Sequence, residues 1–122
     1  MMDKFAETTE DKVARILMTE AYGDISQQVL WYGYNETIRG SNVPFNFVLI
    51  SKLNKDSNAG DFKRETEAWL EAMPSFGFAN WVLGNHDRSR VASRYGKERH
   101  EGLVIMTLML PGNGIIFYVR SF

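Results

Sequence analysis

Four short apolar runs, spaced evenly along the chain, constrain the fold of this sequence more than any other feature. They cover residues 14–18, 45–50, 80–83 and 114–119, and they begin roughly 31 to 35 residues apart. Each run is too short for a comfortable helix, and most are rich in β-branched or aromatic residues. This pattern is typical of strands buried on both faces of a parallel sheet, and the spacing matches the length of a βαβ unit.

Helical patterns lie between the apolar runs. The segment 24–32 places Ile25, Val29 and Tyr32 on one face, and the segment 97–110 ends at a Pro-Gly pair. The clearest pattern is 58–73, where Asn58 is a natural N-cap and Pro74 stops the helix. The sequence therefore predicts an α/β fold with four parallel strands and three intervening helices. Both a doubly wound sheet and a piece of a (β/α)₈ barrel fit this order.

Composition excludes several classes of partner. The chain has 122 residues and a net charge of −1, with a pI of about 6.1, so it lacks the basic excess of a protein that binds nucleic acid or a membrane surface. No apolar run approaches the ~18 residues of a membrane span, and the first residues lack the apolar centre of a signal peptide. With no cysteine and only His86 and His100 as histidines, we predict neither a metal site nor a cofactor.

One tripeptide, Asn35-Glu36-Thr37, matches the acceptor pattern for N-linked glycosylation. Such tripeptides arise often by chance. Asn35 is therefore a candidate modification site, and the sequon is weak evidence for secretion.

Polar residues follow two of the predicted strands. Glu20 and Tyr22 come directly after residues 14–18, and the triplet Asn85-His86-Asp87 follows residues 80–83. In both candidate architectures functional groups collect at the carboxyl ends of the strands. Two carboxyl groups facing one cleft suit glycoside hydrolysis, in which one protonates the leaving oxygen and another stabilises positive charge on the sugar. The alternative, that Glu20 is a loop carboxylate and His86-Asp87 a helix cap, stays open on these grounds.

Five segments resemble the α-amylase-type glycoside hydrolases of family 13, especially their insect maltase (α-glucosidase) branch. They are "ILMTEAY", "YGYNETIRG", "PFNF", "ANWVLGNHD" with its following arginines, and "MTLMLPG". The resemblance runs over nearly the whole chain. It implies a (β/α)₈ barrel, of which residues 1–122 would be the carboxyl-terminal half of the catalytic domain, from the fifth to the eighth strand. It also implies an activity on α-1,4-glucosidic bonds of maltose- or sucrose-type sugars.

The resemblance assigns roles to the polar residues. It implies that Glu20 is the general acid/base and that Asp87 stabilises the oxocarbenium-like transition state. His86 would hydrogen-bond sugar hydroxyls and Arg90 would shape the neighbouring subsite. Asn85 would face the sugar beside them, and Tyr22 is an aromatic that can pack against a sugar face.

The resemblance also implies a missing carboxylate. In this family the nucleophile follows the fourth strand, in a Gly-Phe-Arg-x-Asp-Ala type segment that these 122 residues do not contain. We therefore expect the isolated chain to be inactive, marginally stable and prone to self-association through exposed strand edges. The parent protein is expected to be secreted or to lie at the cell surface.

Two other functions are weighed against the enzyme. One is a non-catalytic barrel of the amylase type, such as the heavy-chain ectodomain of amino-acid transporters. The other is an unrelated doubly wound binding domain, which ranks last because the sequence has no glycine-rich phosphate loop.

Overall fold

The computed structural model describes residues 16–117. Four short strands lie in this part of the chain: β1 (Met18–Thr19), β2 (Val43–Pro44), β3 (Asn80–Val82) and β4 (Asn113–Ile115). They form two parallel pairs, β1 with β2 and β3 with β4. Because the strands in each pair run the same way, the segments that follow them meet at one edge.

Helices form all three connections. The first contains α1 (Ile25–Gln28) and a 3₁₀ helix (Val29–Tyr32), and the second contains α2 (Val48–Ser51) and α3 (Ala59–Ala72). The third contains α4 (Val91–Tyr95) and α5 (Lys97–Met109). The predicted alternation of parallel strands and helices is confirmed in outline, although α2 and α4 were not predicted.

Local sequence signals set both ends of helix α3. The side-chain oxygen of Asn58 accepts hydrogen bonds from the backbone N–H groups of Gly60 and Asp61, at 2.8 and 3.2 Å. Asp61 accepts in return from the Asn58 N–H at 2.9 Å, which completes a capping box. The helix ends where Met73 becomes extended before Pro74. The predicted helix 58–73 is thus confirmed to within a residue at each end.

The predicted strand at residues 45–50 is wrong. The strand is the shorter Val43–Pro44, and Val48–Ser51 forms one helical turn. The side chain of Asn46 accepts a hydrogen bond from the Val48 N–H at 2.9 Å and so turns the backbone out of the extended conformation. Both faces of this turn are buried, and such an apolar run does not reveal by periodicity whether it is helix or strand.

The other predicted boundaries shift by a few residues. The first strand is Met18–Thr19 rather than 14–18: residues 16 and 17 are not in a strand, and residues 14 and 15 lie outside the described part of the chain. The last strand is Asn113–Ile115 rather than 114–119, and residues 118 and 119 also lie outside the described part. The predictions for 80–83 and 97–110 agree with β3 and α5.

Two side-chain amides join the strand pairs at their centre. Asn46 and Asn80 are both fully buried. The Asn80 side chain accepts from the Asn46 N–H at 2.9 Å and donates to the Pro44 carbonyl at 2.7 Å. The Val82 N–H donates to the Asn46 carbonyl at 3.2 Å. These bonds place β2 beside β3, so the strands lie in the order β1, β2, β3, β4.

Two hydrophobic clusters lie on the strands. The larger packs the helices against the strands around the fully buried Trp69 and Trp81. The smaller consists of Phe47, Ile50 and Val82. The strand β3 contributes to both clusters, which explains why all its residues are buried. In the part of the chain that the structure describes, no helix is both long and apolar enough to span a membrane.

Candidate functional site

The segments that follow β1 and β3 meet through a short hydrogen-bond chain. Nδ2 of Asn85 donates to the Tyr22 hydroxyl at 2.7 Å and approaches Oε1 of Glu20 at 3.4 Å. Glu20 and Tyr22 follow β1, whereas Asn85 follows β3. Asn85 is therefore in direct contact with two other residues predicted for the site, although it lies 65 residues from Glu20 and 63 from Tyr22 along the chain.

Tyr22 is held in place by aromatic stacking. Its ring lies 4.5 Å from that of Phe47, centroid to centroid, with an interplanar angle of 16°. The guanidinium carbon of Arg88 lies 5.5 Å from the centroid of the same ring. Protein groups therefore contact the Tyr22 ring on the face stacked on Phe47 and again at Arg88, which limits the predicted packing of this ring against a sugar.

His86 and Asp87 lie together on the loop after β3. Their Nε2 and Oδ1 atoms are 3.3 Å apart, and both side chains are more than half exposed. The His86 ring is tilted against that of Phe117, with centroids 6.4 Å apart. The guanidinium carbon of Arg90 lies 5.6 Å from the centroid of the Phe117 ring. Phe117 therefore contacts both His86 and Arg90, two of the predicted binding residues.

A small hollow of about 10 Å³ lies on the loop after β3, bordered by Asn85, Arg88, Arg90 and Phe117. Small-molecule pockets usually have ~300–1,000 Å³, so this hollow cannot enclose a sugar by itself. Three buried polar atoms nearby have no hydrogen-bond partner within the described residues: Thr19 Oγ1, Asn46 Nδ2 and Asn85 Oδ1. A buried polar atom without a protein partner requires an explanation, such as an ordered water, an ion or a group contributed from outside these residues.

Arg94 holds the loop after β3 in place through hydrogen bonds to backbone carbonyls. Its guanidinium group donates hydrogen bonds to the carbonyls of Leu83, Ser89 and Leu49, at 2.5, 3.0 and 3.0 Å. These carbonyls belong to the residue directly after β3, to the loop itself and to α2. Partial burial lowers the pKa of Arg94 from its usual value. The sequence did not predict this role, because the Leu49 carbonyl lies 45 residues away along the chain.

Asn46, Phe47 and Phe117 were also missed as supports of the site. The available signal was an asparagine placed inside an apolar run, since a buried amide needs hydrogen-bond partners. That signal applies equally to Asn80, at the start of its own run. The other candidate residue, Asn35, lies on a separate loop between the 3₁₀ helix and β2.

No group of histidine and acidic residues suited to a metal ion occurs among the residues that the structure describes. The absence of a metal ion from the site stays a prediction from the sequence, and a measurement of the metal content of the purified protein would test it.

The comparison with protein families decides the relationship. The family described as "Alpha amylase, catalytic domain" matches residues 1–119. The chain belongs to the α-amylase catalytic-domain family. This confirms the resemblance carried by the strand-end motifs, implies a TIM barrel, and excludes the unrelated doubly wound domain.

Several curated proteins resemble this α-amylase-family chain. Maltase 1 of Drosophila virilis is 44% identical over 104 residues, covering 85% of this chain and 16% of the relative. Maltase A1 of Drosophila melanogaster is 42% identical over 118 residues, covering 96% and 20%. Salivary alpha-glucosidase of Anopheles gambiae is 42% identical over 111 residues, covering 91% and 18%. The chain thus spans about a fifth of the length of these relatives.

A more distant relative is an amino acid transporter heavy chain of Homo sapiens. It is 34% identical over 118 residues, covering 96% of this chain and 16% of the relative. The similarity of the α-amylase-family chain to maltases and α-glucosidases is therefore greater than to this transporter subunit.

Proposed function

We propose that these residues form part of the catalytic barrel of an α-glucosidase that cleaves α-1,4-glucosidic bonds of maltose- and sucrose-type sugars. The single observation that carries the proposal is the contact of Asn85 with both Glu20 and Tyr22. It draws two strand ends, each bearing a carboxylate, toward one site. Residues 1–122 correspond in this proposal to the fifth to eighth strands of the barrel.

The proposed chemistry follows from the exposed carboxylates. Glu20 protonates the glycosidic oxygen as the bond breaks, and in the second step it removes a proton from the attacking water. Asp87 remains ionised and stabilises the positive charge that develops on the sugar ring. The nucleophile is a carboxylate that we assign to a segment of the parent protein outside this sequence.

The neighbours of these carboxylates orient the sugar. His86 and Asn85 hydrogen-bond hydroxyl groups in the glycone subsite, and Tyr22 borders it. Arg90, held beside Phe117, shapes the adjoining subsite. The unpartnered Asn85 Oδ1 supports this view, since an incomplete polar environment is expected where substrate or a further barrel segment contributes groups.

We propose further that the parent protein is secreted or displayed at the cell surface. The names of two relatives, the salivary alpha-glucosidases of Anopheles gambiae and Aedes aegypti, support this location. The competing proposal is a non-catalytic barrel, favoured by the similarity to the transporter heavy chain. The presence of Glu20, His86 and Asp87 favours the enzyme, because a scaffold does not need them.

A chimaera tests the enzyme proposal directly. The matching segment of Maltase A1 from Drosophila melanogaster is replaced by this chain, and release of p-nitrophenol from p-nitrophenyl α-glucoside is measured. We expect turnover that falls ~10²- to 10⁴-fold in a Glu20→Gln variant, the usual contribution of a general acid/base. The matched control is Glu71→Gln, an exposed glutamate on α3.

The 122-residue chain alone serves as a second arm and is expected to show no turnover. A chimaera that melts cooperatively yet has no activity would favour the non-catalytic barrel. Turnover by the isolated chain that Glu20→Gln abolishes would contradict the proposed origin of the nucleophile.

A further inference from the structure

The segment between the 3₁₀ helix and β2 forms a rigid surface hairpin. Gly33 and Arg39 make an antiparallel bridge, and the Tyr34 N–H donates to the Ile38 carbonyl at 3.0 Å. Gly33 has a φ of +104°, and a Cβ there would lie 2.4 Å from the Ile38 carbonyl oxygen, so only glycine fits this turn. The hairpin therefore presents its tip, residues 35–37, in one defined conformation.

Asn35 stands at this tip with its two amide atoms in different environments. Its Oδ1 accepts hydrogen bonds from the N–H groups of Thr37 and Ile38, at 2.9 and 2.7 Å. Within residues 16–117, its Nδ2 makes no hydrogen bond, and the residue is exposed. The carbonyl oxygen thus anchors the side chain, while the nitrogen remains available to solvent.

We propose that Asn35 is an N-glycosylation site of this protein. The sequence Asn35-Glu36-Thr37 has the required hydroxyl residue two positions after the asparagine, and an N-linked glycan needs an exposed loop. The step transfers an oligosaccharide from a lipid-linked diphosphate donor. A bond forms between C1 of the first sugar and Nδ2, the C1–O bond to the diphosphate breaks, and Nδ2 loses one proton.

The position of the hairpin suits a bulky modification. It leads into the amino end of β2, and the neighbouring Ser41 hydroxyl donates to the carbonyl of Leu17, just before β1. Glu20 and Asn85 lie beyond the opposite, carboxyl ends of the strands. A glycan on Asn35 would therefore extend from the edge of the sheet farthest from the candidate site.

The hairpin also exposes apolar surface that a glycan would cover. Tyr34 is 88% exposed and Ile38 is 59% exposed, and these two residues flank the sequon on the paired arms of the hairpin. Exposed apolar residues next to one another promote association of unrelated surfaces. A hydrophilic glycan between them would cover this apolar surface, and this inference rests on the proposed secretion of the parent protein.

The test expresses the full chain behind an added cleavable signal peptide in eukaryotic cells. Intact mass is measured on protein from the medium and from the secretory membranes, so that a chain that folds poorly still reports. We expect one N-linked glycan per chain, and its enzymatic release in isotopically heavy water should leave a labelled aspartate at position 35.

Matched variants separate the sequon from general effects. Asn35→Gln and Thr37→Ala should remove the glycan completely, whereas Thr37→Ser should retain it. Asn54→Gln is the control, because Asn54 is also exposed and its Oδ1 accepts a backbone N–H, from Asp56 at 2.8 Å, but it starts no sequon. An unmodified Asn35 in both fractions would overturn the proposal. Because occupancy needs no catalysis, this result and that of the chimaera are independent.

Discussion

At the scale of single residues, Asn85 organises the candidate site. Its amide nitrogen donates to two acceptors, the Tyr22 hydroxyl and the Glu20 carboxylate. Both acceptors follow β1, whereas Asn85 follows β3. A hydrogen bond to a charged group is stronger than one between neutral groups. The direction of the Glu20 side chain therefore depends on a residue that performs no proton transfer.

We predict that Asn85→Ala lowers kcat/KM of the chimaera about tenfold to hundredfold, because a lost hydrogen bond near a charge costs about 1–3 kcal/mol. Tyr22→Phe should have a smaller effect. The double variant should lose less than the sum of the two free-energy changes, since both remove parts of one chain of hydrogen bonds. Fully additive losses would contradict this connection, and Asn54→Ala provides the neutral control.

At the scale of elements, the junction between β2 and β3 depends on side chains in place of part of a strand ladder. Pro44 has no N–H to donate, and its carbonyl accepts from the Asn80 amide. The same amide accepts from the Asn46 N–H. Asn80 thus supplies both a donor and an acceptor to a neighbouring backbone inside the core.

We predict that Asn80→Ala lowers the free energy of unfolding by about 2–5 kcal/mol, because it leaves a buried N–H and a buried carbonyl without partners. Urea denaturation followed by circular dichroism measures the change. Asn113→Ala is the matched control, since Asn113 pairs with Asn80 across the strands but is exposed. A similar loss in both variants would show that the hydrogen bonds of Asn80 are not responsible.

Two buried tyrosines make the packing of the helices sensitive to alkaline pH. Burial raises the pKa of Tyr95 to about 12 and that of Tyr32 to about 12. The Tyr95 hydroxyl donates to the Leu49 carbonyl and the Tyr32 hydroxyl donates to the Phe78 carbonyl, each at 2.5 Å. An ionised hydroxyl can no longer donate to these carbonyls.

The pKa is higher in the folded chain than the ~10 of an unfolded tyrosine. The stabilisation is therefore complete below pH ~10 and is lost as the pH rises toward 12, by on the order of 2 kcal/mol for Tyr95. We predict that Tyr95→Phe reduces this loss of unfolding free energy at high pH. Denaturant unfolding at about pH 8 and about pH 11 measures the change. The exposed Tyr34→Phe should leave the pH dependence unchanged, and an unaltered fall in Tyr95→Phe would contradict the assignment.

At the scale of the whole molecule, helix α5 exposes an apolar surface to solvent. On α5, Leu103 and Thr107 are buried against the strands, whereas Ile105, Leu108 and Met109 are exposed. The three exposed residues fall on one side of the helix, at the spacing that joins neighbouring turns. Apolar residues thus occupy more than one side of this helix, and among residues 16–117 only the side with Leu103 and Thr107 is covered.

We predict that the isolated chain self-associates through this surface, because association removes apolar side chains from water. Sedimentation velocity should show a concentration-dependent rise in mass. The triple variant Ile105→Glu, Leu108→Lys, Met109→Gln should reduce it strongly. Exchanges at the exposed polar positions Lys63, Glu67 and Glu71 of α3 are the control, and a monodisperse wild-type chain at high concentration would contradict the prediction.

The parts of the fold that sequence could predict are those with local causes. The capping residues of α3 and its terminating proline lie beside the helix they delimit, so its bounds were accessible. The helical turn at Val48–Ser51 could not be predicted from the sequence, because burial on two sides removes the periodicity that distinguishes a helix from a strand.

The same distinction applies to the site. Motifs located Glu20 and Asp87 at strand ends, whereas the supports Phe47 and Arg94 act through partners distant in sequence. Their roles become visible only when the packing of the strands is known.

The anchoring of Arg94 on three carbonyls has an electrostatic consequence. A half-buried guanidinium is screened by dissolved ions less than the exposed groups of Arg88 and Arg90 above it. As ionic strength rises, the field of the outer arginines fades, while that of the inner one persists beneath the loop. At high ionic strength Arg94 therefore contributes a larger share of the positive potential of this loop than it does at low ionic strength.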